Sequence, residues 1–261
     1  MSSLPHLNTL FTIKFPNGNT ARAIRAKPHE HPAFLLRTLG FNPPQPILFI
    51  SGGASGMSDY DKQQTERMME AVALFAEQNS ITVIDGGTES GIMKMCGDIR
   101  IRNKYQFPLL GVSPLGLVSF PDYPNPKAQA ELEDGHTHFV LVEGDEWGAE
   151  SEMIINLTMT MSGAGTTTRK PAVGILINGG KIAMQEIYLA TTRDKHKLPI
   201  IVLDGSGRAA DEISTAFRTG RVTQTILKAI LRGGDIQLVG TREGPDAIRQ
   251  KLSLKFLGRS S

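Results

Sequence analysis

The sequence predicts an α/β protein, a three-layer, Rossmann-like fold built on a mainly parallel sheet. Three observations carry that expectation. Short apolar runs recur between Ile47 and Leu203, separated by longer segments of helical character. The runs are apolar at every position rather than alternating, which marks strands covered on both faces. Glycine-rich turns follow directly on four of them, as they do where a chain leaves the carboxyl edge of such a sheet.

The elements follow in order. Phe11–Phe15 reads as a strand, Asn17-Gly18 as a hairpin turn and Thr20–Ile24 as the return strand. Lys27 to Pro46 carries five prolines, so residues 1–44 are expected to form a hairpin and an irregular cover. The main Rossmann-like domain is expected over residues 45–220. Ile47-Leu48-Phe49-Ile50 opens it, followed by Ser51-Gly52-Gly53 and a helix near Asp61–Gln78. Ile81–Ile84 is followed by Asp85-Gly86-Gly87 and a helix from about Ser90 to Arg102. Leu109–Val112, Phe139–Val142, Val173–Ile177 and Ile200–Leu203 repeat the unit. The stretch Ser119–Gly135, proline-rich and then acidic, reads as a surface excursion near the crest of the sheet. Residues 221–261 hold two helical stretches around Ile236–Val239 and are expected to pack on the core or on a partner protomer, making a homo-oligomer.

Composition excludes several classes. With 40% hydrophobic residues in 261, the chain can bury a substantial core. Its 28 basic and 26 acidic residues leave a net charge of +2, which offers little pull toward nucleic acid or a membrane surface. The single cysteine, Cys96, excludes an internal disulfide and a multi-thiolate zinc site. The most apolar stretch, Phe107–Phe120, is interrupted by two prolines and two glycines and does not read as a spanning helix. Together with an N-terminus that lacks a signal-peptide pattern, this predicts a cytoplasmic protein without a membrane partner.

The four glycine junctions are Ser51–Gly56, Asp85–Gly91, Asn178–Lys181 and Asp204–Arg208. A parallel sheet gathers such loops on one edge, where glycine lets a ligand approach backbone N–H groups and helix N-termini add positive potential. Phosphate is the natural guest. The candidate contacts in these loops are Gly52, Gly53, Ala54, Gly86, Gly87, Thr88, Ser90, Gly91, Gly179, Gly180, Gly205, Ser206 and Gly207. A diphosphate is expected against the amides near Gly53, Gly87 and Gly180. The familiar nucleotide signatures fail: Gly180-Lys181 lacks the preceding glycine of a P-loop, and the G-x-G-x-x-A of Gly205–Ala210 has no acidic residue about 20 positions on.

Ile84–Arg100, IDGGTESGIMKMCGDIR, resembles a segment in the N-terminal cytosolic region of melastatin-type transient receptor potential channels. Leu110–Ser113, His138–Val142 and Ile201–Asp211 (IVLDGSGRAAD) resemble further segments of that region in the same order. The likeness runs from about Pro46 to Phe217. It identifies the chain as a stand-alone, prokaryotic-type (LSDAT-like) member of the SLOG superfamily, which also includes a DNA-processing protein and the LOG cytokinin-activating phosphoribohydrolases. The resemblance implies a Rossmann-like domain that binds a nucleotide-derived molecule such as ADP-ribose or NAD and needs no other cofactor. It places pyrophosphate or ribose against Gly52, Gly53, Gly87, Thr88 and Ser90, a base on Trp147 in EGDEWGAESE, and phosphate on Arg208. Glu150 lies in the same segment. One departure concerns position 154, where the channels can carry an arginine and this chain has isoleucine.

Plainer readings stand beside these. Trp147 is equally suited to structural burial. Arg208 is also placed for a surface ion pair, and Glu150 and Glu152 for first-turn carboxylates. His136 and His138 near Glu131, Glu133 and Asp134 suggest a metal weakly, without a third-ligand motif. Met153, Met159 and Met161 read as core, and Cys96 as buried and inert. A second function also follows from the resemblance. Asn178–Glu186 matches in part the P-G-G-x-G-T-x-x-E segment of the LOG hydrolases, with Glu186 in the place of the final glutamate and Ile182-Ala183 replacing Gly-Thr. In that reading Glu186 is the catalytic carboxylate of an N-glycosidic hydrolase.

Overall fold

Strands and helices alternate along residues 4–258, the part of the chain that the computed structural model describes. In chain order they are β1 (Leu10–Lys14), β2 (Thr20–Ala26), α1 (Pro32–Leu39), β3 (Ile47–Gly52), α2 (Asp59–Gln78), β4 (Thr82–Asp85), α3 (Gly91–Arg102) and β5 (Leu109–Pro114). The short pair β6 (Val118–Ser119) and β7 (Ala130–Glu131) precedes β8 (His138–Val142), α4 (Ser151–Ser162), β9 (Ala172–Ile177) and α5 (Lys181–Thr192). β10 (Ile200–Asp204), α6 (Arg208–Thr219), α7 (Thr225–Gly233), β11 (Ile236–Gly240) and α8 (Pro245–Leu257) complete the chain.

Nine strands form one sheet in the order β1-β2-β8-β5-β4-β3-β9-β10-β11. Every neighbouring pair is parallel except β1 with β2. Alternate residues of the central strands serve different layers, which is why their sequences are apolar throughout. Ile47 and Phe49 of β3 face the core formed with α1, α4, α5, α6 and α7, while Leu48 and Ile50 face the one formed with α2, α3 and α8. The mainly parallel, three-layer expectation holds. From β3 the chain winds outward through β4 and β5, and from β9 it winds the other way through β10 and β11. The direction reverses between β3 and β9, so a crevice opens at their carboxyl ends.

Three segments differ from the sequence reading. The proline-rich cover contains a helix, α1, because Pro32 sits at its first turn, where a missing N–H costs nothing, and Leu35, Leu36 and Leu39 are buried. The C-terminal segment is not merely laid over the core, since β11 pairs with β10 and α8 packs on α2. The excursion Ser119–Gly135 is anchored: β6 pairs with β7, Leu132 bridges Thr88, and the Asn125 amide donates to the carbonyls of Gly116 (2.9 Å) and Val118 (3.1 Å). Met153, Met159, Met161 and Cys96 are buried. No described helix is long and apolar enough to cross a membrane.

A buried ion network ties this excursion to the sheet. His136 donates from Nε2 to Asp85 Oδ1 (2.8 Å) and from Nδ1 to Glu133 Oε2 (2.6 Å), and all three side chains are almost fully buried. Burial alone would lower the imidazole pKa, but the charge of Asp85 and the hydrogen bonds to both carboxylates outweigh it and push it up to about 9. Glu133 also explains Gly97 of α3, where a Cβ would stand 1.9 Å from Glu133 Oε2. The other histidine of the pair, His138, packs against Phe41 with ring centroids 4.5 Å apart.

A histidine whose folded pKa is raised stabilises the fold fully below its unfolded value of 6.5, and the contribution is lost as pH climbs through about 9. Stability measured by urea denaturation is therefore expected to fall between pH 7 and pH 10. His136→Ala leaves two carboxylates buried without a cation, so at pH 7 it is expected to cost about 3–5 kcal/mol. A variant as stable as the parent at pH 7 would show that the imidazole carries no charge.

Candidate functional site

The crevice at the reversal is a cleft of about 800 Å³. Its floor is the end of β3. Gly52 has φ +154°, and a Cβ there would lie 2.0 Å from the Ile177 carbonyl, so only glycine lets β3 run this close to β9. That approach brings the loop after β9 over the floor.

Two carboxylates sit at the base. Glu186, projecting from α5, accepts from Ser51 Oγ at 2.5 Å through Oε2 and from Ser151 Oγ at 3.1 Å through Oε1. Burial, reinforced by the neighbouring Glu150 charge and opposed by the two serines, holds its pKa up at about 7. Glu150 precedes α4, and its Oε2 accepts from the Gly148 N–H at 2.9 Å. Burial raises its pKa as well, against two backbone hydrogen bonds that lower it. Both carboxylates line the cleft, 5% and 6% exposed for Glu150 and Glu186.

Positive potential gathers at the amino end of α5. Gly180 precedes α5, whose first-turn residues Lys181, Ile182 and Ala183 also line the cleft. The N–H groups of a helix's first turn have no intrahelical acceptor and carry the positive end of its dipole. Arg208 reaches the same place from α6, its Nη2 2.7 Å from where a Cβ of Gly180 would stand. Its backbone is left-handed, φ +46°, a conformation that costs a non-glycine residue about 1–2 kcal/mol. Among the described residues Arg208 joins no ion pair; Asp204 nearby is held by Arg218 at 2.5 Å.

Other loop amides already have protein acceptors. Gly53 N–H donates to the Ile177 carbonyl (3.2 Å) and Gly87 N–H to Asp85 Oδ1 (2.8 Å). Gly205 N–H donates to Asp211 Oδ1 (2.7 Å), while the α6 amides of Ala209 and Ala210 donate to the Gly179 and Asn178 carbonyls. The four glycine junctions do meet at one edge, where the amino end of α5 lines the cleft with Arg208 and the amino end of α3 lines it through Ser90 and Met93. Of the three amides expected to face a diphosphate, those of Gly53 and Gly87 thus have protein acceptors, and Gly180 lines the cleft.

Of the residues singled out from sequence, Gly52, Gly86, Thr88, Ser90, Trp147, Glu150, Gly180, Glu186 and Arg208 line the cleft. Gly53, Ala54, Gly87, Gly91, Gly179, Gly205, Ser206 and Gly207 are not among its lining residues. Ser206 is tied into the turn, accepting from Asn178 N–H and donating to the Leu203 carbonyl. Ile154 is buried in the core of α4 and contributes nothing to the cleft. The sequence reading missed Ser51, Gln129 and Lys181. Ser51 and Lys181 flank glycines already marked, and their adjacency was the available signal. Trp147 is half-buried at the rim, packed against the hairpin core.

A doubly wound sheet with a cleft at its reversal point defines a Rossmann-like domain. The chain belongs to the family described as SLOG in TRPM, prokaryote, which it matches over residues 45–249. It is similar to transient receptor potential cation channel subfamily M member 1 of Mus musculus, 24% identical over 240 residues covering 79% of this chain and 14% of the channel. A transient receptor potential channel of Caenorhabditis elegans is 23% identical over 231 residues, covering 78% of this chain and 11% of its own length. The subfamily M member-like 2 channel of Nematostella vectensis is 24% identical over 216 residues, 70% of this chain and 14% of the channel. The chain thus spans only 11–14% of the length of these relatives.

A carboxylate whose folded pKa is raised contributes stability that is complete below about 4.5 and is lost as pH rises through about 7. Glu186→Gln removes that loss while keeping a partner for each serine. Relative to the parent, the variant is expected to gain about 2 kcal/mol between pH 5 and pH 8, read as the difference of two urea-denaturation series. An identical pH dependence in both proteins would mean that Glu186 titrates elsewhere.

Proposed function

We propose that this protein binds a nucleotide-derived diphosphate, with ADP-ribose or NAD as the representative chemistry, and acts as a ligand sensor rather than by turnover. One observation carries the reading: the Arg208 guanidinium lies against the amino end of α5, beside Lys181, with no carboxylate paired to it among the described residues. A cation set on the positive end of a helix is unfavourable unless an anion joins them, and a diphosphate supplies charge and acceptors for both. The left-handed backbone that aims Arg208 there is strain of the kind that functional sites retain. Beyond the phosphate end, Glu150, Glu186 and Ser51, which line the cleft, offer acceptors for ribose hydroxyls. Trp147 at the rim offers a face for the base. Kinship with the N-terminal regions of transient receptor potential channels agrees with a sensing role.

The carboxylate held near neutrality favours a second reading, hydrolysis of a nucleotide N-glycosidic bond with Glu186 as general acid or base. Against it, Ile182 and Ala183 occupy the cleft wall where the hydrolase pattern has Gly-Thr. Incubating the protein with NAD, ADP-ribose and AMP separates the two. Sensing predicts a thermal shift without released base, whereas release of base that Glu186→Gln abolishes would establish the enzyme.

Arg208→Ala is expected to weaken ADP-ribose binding by about 1.5–3 kcal/mol, the worth of a charge-assisted hydrogen bond. Calorimetry at fixed salt measures it, and an unchanged dissociation constant would remove Arg208 from the site.

A further inference from the structure

Gln129 enters the cleft from the chain leading into β7, and its place there is set by backbone bonds. Its own N–H donates to the Leu117 carbonyl at 2.8 Å. Just beyond it, Glu131 O accepts from the Glu89 N–H (2.8 Å), Leu132 N–H donates to Ser119 O (3.0 Å) and Glu133 N–H to Gly87 O (2.9 Å). Gln129 therefore stands on a stiff wall. Its side-chain Oε1 accepts from Trp147 Nε1 at 2.7 Å, joining two loops across the rim of the cleft that both residues line.

That bond settles which way the carboxamide faces. An indole N–H only donates, so the atom turned to it must be the amide oxygen. The amide NH2 is left with no acceptor among the described residues, beside the one aromatic ring suited to receive a base. Nothing in the sequence patterns marked this residue.

We propose that Gln129 is a specificity-determining residue, donating from its NH2 to a hydrogen-bond acceptor on the edge of a heterocycle stacked on Trp147. The inference rests on the cleft's being an adenine-diphosphate site. Adenine offers acceptors only as ring nitrogens, N1, N3 and N7, so the pairing would be with one of them. The indole bond serves a second purpose: it holds the ring and the amide in one arrangement, so less freedom is lost when a base docks.

The test uses the chain's single tryptophan, Trp147, whose emission reports directly on this corner. ADP and its 1-deaza, 3-deaza and 7-deaza analogues are titrated into the full-length parent and into Gln129→Met, with thermal midpoints confirming that the variant is folded. One analogue is expected to bind the parent at least 5-fold more weakly than ADP, yet to bind the variant as well as ADP does, because ligand and protein changes at one contact are not additive. If every analogue loses the same factor against both proteins, Gln129 reads no ring nitrogen and the proposal is overturned. Failure of the parent to bind ADP, ADP-ribose or NAD by fluorescence or calorimetry would instead reject the adenine-diphosphate reading, and this proposal with it.

Discussion

Asp85 and Glu133 repel one another beneath the cleft, and the charge on His136 is what allows both to be buried. Much of the site's geometry depends on that arrangement. Asp85 ends β4 and also caps the turn through the Gly87 amide; Glu133 pins the end of the β6–β7 excursion; His136 leads into β8. Two stretches about fifty residues apart in sequence are thereby held at one point, and from it Thr88, Ser90 and Gln129 take their positions on the cleft wall. Gly97 belongs to the same design, because α3 must pass Glu133 too closely for any side chain.

The cleft itself is electrically divided. Its base carries carboxylates that burial keeps reluctant to ionise, and its α5 wall carries a helix terminus, a lysine and an arginine. For the ligand proposed above, this arrangement would favour an anionic group at the amino end of α5, hydroxyl donors near the carboxylates, and an uncharged ring at the rim by Trp147.

Much of the fold could be read from the residues, because an apolar run without alternation has few homes other than a covered parallel strand. Ile47–Ile50, Ile81–Ile84 and Val173–Ile177 all lie in or beside the strands expected of them. The hairpin was equally plain from Asn17-Gly18. What escaped were pairings with remote partners. Nothing local in Ile236–Val239 says that it will extend the sheet beside β10, and the prolines before β3 hid α1, since proline both breaks helices and begins them. The glycine loops pointed to the edge where the cleft lies but could not show which amides would find acceptors at home. Gly53 and Gly87 satisfy theirs internally, whereas the Gly180 turn leaves its helix end open. Gln129 left no trace in the sequence because its role depends on an indole 18 residues away.

The approach of β3 to β9 at Gly52 has a mechanical consequence. The cleft's two walls descend from opposite windings of the sheet: Thr88, Ser90 and Gln129 from the side that runs toward the hairpin, Lys181 and Arg208 from the side that runs toward β11. At this edge the halves meet along a single seam, with no side chain at Gly52 to wedge between them. A molecule gripped from both sides would act as a cross-brace over that seam, stiffening one half against the other and carrying the news of its arrival to the two outer margins of the domain.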